Sequence, residues 1–252
     1  MKVELISYTP NAWDLLLGTK TTRMRGKDPS EMSEQEKWEH WRYMLDTIKS
    51  PFEFVDYVFE ITGVSKNFTH QLVRTRTGAY QQETSRALDM SDVGVVLPEN
   101  FEESPELLEA FWDGVEESRQ TYRRLIAAGG ELQDARAILP GNMETAIKAK
   151  FNLRTLSETA KTRLCARTQG EYQKVFRLMR EAVIAVHPWA DPLLQVHCVA
   201  TGTCAFPRWG KEKCPFYDPR MDLEKLKEDT RLKFWNSEMA QANPVAKNGV
   251  SM

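Results

Sequence analysis

Between His70 and Ala87 the chain reads His-Gln-Leu-Val-Arg-Thr-Arg-Thr-Gly-Ala-Tyr-Gln-Gln-Glu-Thr-Ser-Arg-Ala, its densest collection of groups able to do chemistry. The segment carries Arg74, Arg76 and Arg86, then Gln71, Gln81 and Gln82, then Glu83 and the hydroxyls of Thr84 and Ser85. Arginine presents a rigid fork of donors that suits tetrahedral and planar anions, phosphates above all. Amide and hydroxyl groups between such forks can read the edge of a heterocycle. A phosphorylated base is therefore the ligand chemistry this segment suggests. A solvated, charged helix face is the plain alternative.

The order of these residues resembles the signature of the flavin-dependent thymidylate synthase family, His-Gln-Leu-Val-Arg-His-Arg, a spacer, then Asn-Glu-x-Ser-x-Arg-Tyr. Gln71, Arg74, Arg76 and Arg86 fall in register, with Gln82 at the acidic-or-amide position and Thr84 at the Ser position. Thr75 stands where the signature has its central His, and Ala87 where it has Tyr; Ala79 is a further departure. Three more segments match in the same order. Lys49-Ser50-Pro51-Phe52-Glu53 resembles the family's Thr/Ser-Pro-Phe/Leu-Glu turn. Ala135-Arg136-Ala137-Ile138-Leu139-Pro140 resembles Ala-Arg-x-x-Leu-Pro, and Asn152-Leu153-Arg154-Thr155-Leu156 resembles Asn-x-Arg-Ser-Leu, followed by Arg163 and Gln169-Gly170-Glu171. The matches run from Ser50 to Val186.

The resemblance implies a thymidylate synthase activity: reductive methylation of dUMP at C5, with FAD as cofactor and methylenetetrahydrofolate and NADPH as co-substrates. It implies a homotetramer with FAD where subunits meet. It places Gln71, Gln82, Thr84, Ser85, Arg86, Arg136 and Arg163 at the nucleotide, with Arg86 and Arg163 as the catalytic pair. It places Ser50, Arg74, Thr75, Arg76, Gln82, Asn152, Arg154 and Glu158 at the flavin. Glu158 and Arg167 stand where members of the family carry Asn and His. A pocket built to hydrogen-bond an exocyclic group discriminates strongly between analogues. These departures therefore leave open a related flavin- and folate-dependent methylase or hydroxymethylase of dCMP or dUMP. A non-catalytic nucleotide- or RNA-binding homologue is the alternative of another class.

Composition bounds the remaining possibilities. The chain has 252 residues, 41% of them hydrophobic, enough for a sizeable core, and a formal net charge of -2. Nucleic-acid binders usually carry a basic excess, so no nucleic-acid partner is expected. No apolar run approaches the roughly 20 residues of a membrane span. The start reads as a strand and not a signal peptide, which points to the cytoplasm, the host's for a viral chain. Cys165, Cys198, Cys204 and Cys214 are then expected as reduced thiols. The Cys-x5-Cys-x9-Cys spacing is not a standard zinc pattern, and no metal is expected, although zinc stays an open alternative.

The elements that must position these groups read as a single mixed α/β (α+β) domain with a central antiparallel-rich sheet and flanking helices. The domain is expected over 1–215, with a polar extension over 216–252. Val3–Tyr8, Phe54–Val64 and Thr145–Arg154 read as strands. Helices are expected at Asn11–Leu17, from Ser33 to Pro51, from Ser65 through Arg74, and at Ser104–Ala128, Leu132–Leu139, Thr155–Arg167, Gln169–Val186 and Leu223–Phe234. Ser33-Glu34-Gln35-Glu36 is a capping-box pattern, and Trp38, Trp41, Met44, Leu45 and Ile48 form an apolar stripe behind it. Thr21–Glu31 reads as a polar loop. His40 and His187 are expected to be structural.

Overall fold

In the computed structural model, which describes residues 1–217, strands β1 (Lys2–Tyr8), β2 (Asp56–Ser65), β3 (Ala79–Gln82) and β4 (Glu144–Asn152) form one antiparallel sheet. Their spatial order is β1-β2-β4-β3. Strict alternation writes the core face: Tyr57, Phe59 and Ile61 of β2 and Ile147, Ala149 and Phe151 of β4 are buried. On the other face Glu60 pairs with Lys148, and Asp56 with Lys150, each at 2.7 Å across the β2–β4 ladder. Such exposed pairs add about 0–1 kcal/mol each, so they fix register more than they stabilise. The register shifts between Ile61 and Val64, where Gly63 has φ +67°. A Cβ there would lie 2.8 Å from the Met1 nitrogen, so this bend admits glycine alone without rearrangement.

Helices α1 (Ala12–Gly18), α2 (Thr21–Met24) and α3 (Glu34–Asp46) lie between β1 and β2. The capping box at Ser33 and Glu36 forms as expected. Trp13, Trp38, Trp41, Trp189 and Phe52 pack edge to face in the same core. This aromatic cluster seats the turn Ser50–Phe54. Two expectations fail here. Thr21–Glu31 is not simply a loop: it contains α2 and a 3-10 turn at Pro29–Glu31. Helix α3 ends at Asp46, where Thr47 turns extended, well before Pro51. Ile48 therefore leaves the apolar stripe and is 71% exposed.

Helix α4 (Lys66–Leu72) leaves β2 without a linker, and Ser65 Oγ caps it by accepting from the Phe68 N–H. Helix α5 (Pro105–Ala127), capped by Ser104, and α6 (Leu132–Ala135) close over a small second core of Met90, Tyr122, Ala135 and Met143. Helix α7 (Leu153–Arg163) starts one residue after β4 ends, with Asn152 Oδ1 accepting from the Thr155 N–H at 2.8 Å. Arg154, expected at the end of the strand, thus stands in the first turn of this helix. Helix α8 (Gly170–Val186) crosses beneath β1 and β2, and α9 (His197–Thr201) and α10 (Pro207–Lys213) complete the described chain. The expected helix at Leu223–Phe234 and nearly all of the expected extension lie outside the described residues.

Among the described residues all four cysteines are free thiols, and no three His, Cys, Asp or Glu side chains converge to hold a metal. No described helix is long and apolar enough to cross a membrane. His187 is structural: it is buried, hydrogen-bonds Tyr57 Oη through Nδ1 at 2.9 Å, and lies against Tyr8, Tyr57 and Trp189.

Candidate functional site

The residues singled out from the sequence gather at two ends of the sheet. At the Ser65–Glu144 end, Ser85 is nearly inaccessible, 3% exposed, yet its hydroxyl accepts from two cations. Arg136 Nη1 donates to Ser85 Oγ at 3.0 Å, and Lys66 Nζ donates to the same atom. Burial lowers the Lys66 pKa and the neighbouring Arg136 lowers it further, against the opposing pull of Glu83. Neither cation has a carboxylate within ion-pair distance among the described residues. A hydroxyl shared by two crowded cations is an arrangement that a tetrahedral dianion relieves.

Thr84 and Arg86 flank this point. The Arg86 N–H donates to Thr84 Oγ1 at 3.1 Å, a local turn, and its Nε donates to Gln133 Oε1 at 3.1 Å. Arg136 Nε donates to the Gln133 carbonyl at 3.0 Å, so both arginines are held by one residue of α6. Lys66, Thr84 and Ser85 line a cleft of about 490 Å³. Lys66 was not singled out from the sequence: a lone lysine at the start of a helix carries no motif, and only the fold sets it opposite Arg136.

A second cleft, of about 770 Å³, opens at the Asp56–Asn152 end. Thr75, Arg76, Asn152, Arg154 and Glu158, all expected at a flavin, line it together with Arg163, expected at the nucleotide. The Thr75–Thr77 turn, the β4–α7 junction and the Ser50–Phe54 turn supply these walls. Arg154 pairs with Glu53 at 2.5 Å, and Glu158 with Lys161 at 3.0 Å. Arg76 makes no ion pair among the described residues and is exposed. Five threonine hydroxyls stand around it, and Thr155 Oγ1 donates to Thr77 Oγ1 at 3.0 Å.

The Arg163 guanidinium lies over the Tyr172 ring, 4.3 Å from its centroid. The Tyr172 hydroxyl is buried beside Thr75 and Arg163, and no partner meets it in hydrogen-bond geometry. Burial raises its pKa. The cleft in front of it, lined by Arg76, Arg154, Arg163 and five threonines, fits a polyanionic, polar-edged group such as FAD.

The other expected residues lie outside both clefts. Gln71 Nε2 donates to Gln169 Oε1 at 3.3 Å, and Gln82 Nε2 to Thr69 Oγ1 at 3.0 Å. Ser50 and Arg74 are exposed. Glu171 is structural: it accepts from the Ser65 N–H at 2.6 Å and from Ser65 Oγ at 2.5 Å, locking α8 to the start of α4. Arg167 stacks over Phe206 at 4.2 Å. Gly78 lets the Thr75–Gly78 turn close over Tyr80, whose hydroxyl donates to the Thr75 and Leu72 carbonyls; a Cβ there would collide with that ring.

Comparison with known proteins gives the family of the chain. A family model described as "Thymidylate synthase complementing protein" matches residues 4–189. The flavin-dependent thymidylate synthase of Clostridium tetani is 28% identical over 209 residues, spanning 75% of this chain and 84% of that protein. That of Sulfurisphaera tokodaii is 32% identical over 207 residues, 79% of each chain. Among solved structures, a UMP/dUMP methylase PolB from Streptomyces cacaoi, bound with 5-Br dUMP, matches with a TM-score of 0.64 at 20% identity. The match covers 75% of this chain and 92% of that one, and establishes a common fold.

Proposed function

The chain belongs to the flavin-dependent thymidylate synthase family, and from that membership we propose that it methylates dUMP at C5. The one-carbon unit comes from methylenetetrahydrofolate and the reducing equivalents from NADPH. One observation carries the reading: three separate segments bring Glu53, then Thr75 and Arg76, then Asn152, Arg154, Glu158 and Arg163 to a single cleft.

FAD would be held by Arg76, Arg154, Asn152 and the threonines of the second cleft. When bound, it supplies the hydride chemistry that reduces the transferred carbon to a methyl group. The chain's own residues bind and orient. Lys66, Arg136 and Ser85 hold the nucleotide phosphate, with Thr84 and Arg86 beside them. Gln71 and Gln82 extend this surface toward the base. Arg163, steadied by Tyr172, presents fixed positive charge to a pyrimidine carbonyl as charge develops there. No cysteine lines either cleft, so activation of the ring falls to these cations and amides and not to an enzyme thiol.

The two clefts open at opposite ends of β4, which nine extended residues separate by roughly 25–30 Å. Family membership supports a homotetramer as the assembly.

The experiment is an absorption spectrum of the purified protein, followed under anaerobic NADPH with dUMP, dCMP or UMP. A flavin that bleaches, and reoxidises on adding methylenetetrahydrofolate with dUMP to give a product heavier by one methyl group, supports the reading. Turnover with dCMP or UMP, or a hydroxymethyl product, moves the assignment to another pyrimidine nucleotide. The Glu158 carboxylate and Thr75 in the cleft wall motivate that second reading. A protein that binds dUMP but never FAD would be a non-catalytic homologue.

A further inference from the structure

A third cleft, of about 650 Å³, lies between α2 and α3 and shares no residue with the two clefts above. Lys20, Arg23, Arg25 and Lys27 line it with His40 and Tyr43. Among the described residues Lys27 alone of these four cations has a carboxylate partner, Glu36 at 3.1 Å, and that carboxylate also serves the Ser33 cap. Arg23 lies over the Tyr43 ring at 4.3 Å while its Nε donates to His40 Nδ1 at 2.8 Å. Arg25 makes no side-chain hydrogen bond or ion pair among the described residues. It holds φ +50° and Gly26 follows at φ +82°, a left-handed pair that turns the chain sharply between Arg25 and Lys27. A concave surface lined by one sign of charge concentrates counter-ions of the other.

The position of this cleft narrows what it can hold. Lys20 Nζ donates to Thr47 Oγ1 at 3.4 Å, three residues before the Ser50–Phe54 turn that leads into the flavin cleft. Lys49 follows in the same segment, its amine donating to the last carbonyls of α3 and lying 5.7 Å from the Phe52 ring centroid. Burial lowers its pKa. Residues 47–53 thus join the two clefts: Thr47 meets Lys20 of the basic one, and Glu53 lines the other.

We infer that this basic cleft holds the anionic tail of a co-substrate whose reacting ring occupies the adjoining flavin cleft. The shared chemistry is a short chain of negative charges: the γ-linked glutamates of a folate, or the phosphate arm of a nicotinamide nucleotide. The identity of the co-substrate rests on the proposed function; the anion site does not. Guanidinium and ammonium groups take either carboxylate or phosphate.

The test uses the full chain, with and without FAD. A γ-linked glutamate pentapeptide and 2′,5′-ADP are titrated calorimetrically into the wild type and into Lys20→Gln/Arg25→Gln. One probe is expected to bind the wild type and to weaken at least tenfold in the variant, at unchanged melting temperature. Selective loss of the pentapeptide assigns the folate tail, and selective loss of 2′,5′-ADP assigns the nicotinamide nucleotide. No binding of either probe, or equal binding to both proteins, overturns the inference. If the double variant does not fold, Arg25→Gln alone is compared in the same way. Neither probe carries a pteridine or nicotinamide ring, so the result is independent of whether the neighbouring cleft performs the proposed chemistry. A failure of that chemistry shows in the flavin spectrum instead.

Discussion

Arg163, in the wall of the second cleft, and Tyr172 behind it form a stacked pair, guanidinium carbon to ring centroid 4.3 Å. The ring holds the cation in place without neutralising it, as a carboxylate would. A cation–π contact of this kind contributes about 0.5–2 kcal/mol, and its use here is to fix a charge where a ligand can meet it.

Replacing Arg163 with Ala should therefore leave folding nearly intact and weaken ligand binding. A charged hydrogen bond is worth about 1.5–3 kcal/mol, so the dissociation constant for dUMP should rise tenfold or more. Equilibrium titration of the FAD-loaded protein measures it; an unchanged constant removes Arg163 from the site. Tyr172→Phe asks a different question. Deleting an unsatisfied buried hydroxyl should keep or raise the melting temperature of the free protein. If FAD satisfies that hydroxyl, the same variant should show a smaller melting-temperature rise on adding FAD.

Lys66 tests the phosphate point. Lys66→Met keeps an unbranched side chain one atom shorter and removes the charge beside Ser85 and Arg136. Affinity for dUMP should fall about tenfold or more while affinity for deoxyuridine, which has no phosphate, stays the same. The pH dependence has a definite sign. The Lys66 pKa is lowered by burial and by Arg136, and a bound phosphate raises it again. The dUMP affinity should be full below the free-protein pKa of Lys66 and fall as pH rises through it, because binding must then take up a proton. Lys66→Met should lose that alkaline fall. An identical profile in both proteins would place the phosphate elsewhere.

How much of this was legible in the sequence depends on how local each cause is. The capping box at Ser33 is set by four adjacent residues, and it forms. The strands that alternate strongly, β1, β2 and β4, fall within two residues of expectation at each end. Helix α2 was hidden because four residues are too few to show a period. Ile48 was misplaced because its spacing continued the stripe of α3, while the chain turned extended at Thr47. Arg154 was read as strand because nothing apolar separates β4 from α7; Asn152 ends one and caps the other. Motif order groups Thr75, Arg76, Asn152, Arg154 and Glu158, which line one cleft, but also Ser50, Arg74 and Gln82, which do not. Lys66 could not be found this way, because its partner Arg136 is brought to it only by the packing of α6 against the sheet end.

Glu171 carries a structural prediction. Its two oxygens accept both polar hydrogens of Ser65, the residue that caps α4 and precedes Lys66. Glu171→Ala leaves the Ser65 N–H and Oγ without their acceptor. Charged hydrogen bonds of about 1.5–3 kcal/mol each make a loss of several kcal/mol the expected outcome in a denaturant titration. Glu171→Gln, which keeps one acceptor, should lose roughly half as much. Nucleotide affinity should fall in the Ala variant even where the protein remains folded, since Lys66 begins the helix that Ser65 anchors. A variant as stable as the wild type would show that α8 does not hold α4.

His187 sets an acid limit on stability. Burial lowers its pKa from the ordinary 6.5, so the folded protein holds the ring neutral against Tyr57, Tyr8 and Trp189. The unfolded chain takes up a proton on this ring more readily than the folded one. The contribution of His187 is therefore fully present above 6.5, the unfolded value, and is lost as pH falls from there through the lowered folded value. Unfolding free energies measured at pH 7.5 and pH 5 should differ by less in His187→Gln than in the wild type. The variant should also be less stable than the wild type at pH 7.5, because the buried Tyr57 hydroxyl meets a poorer partner and the ring packing with Trp189 is lost, at a cost of about 1–3 kcal/mol. An equal fall in stability on acidification in both proteins would assign the acid sensitivity to groups other than His187.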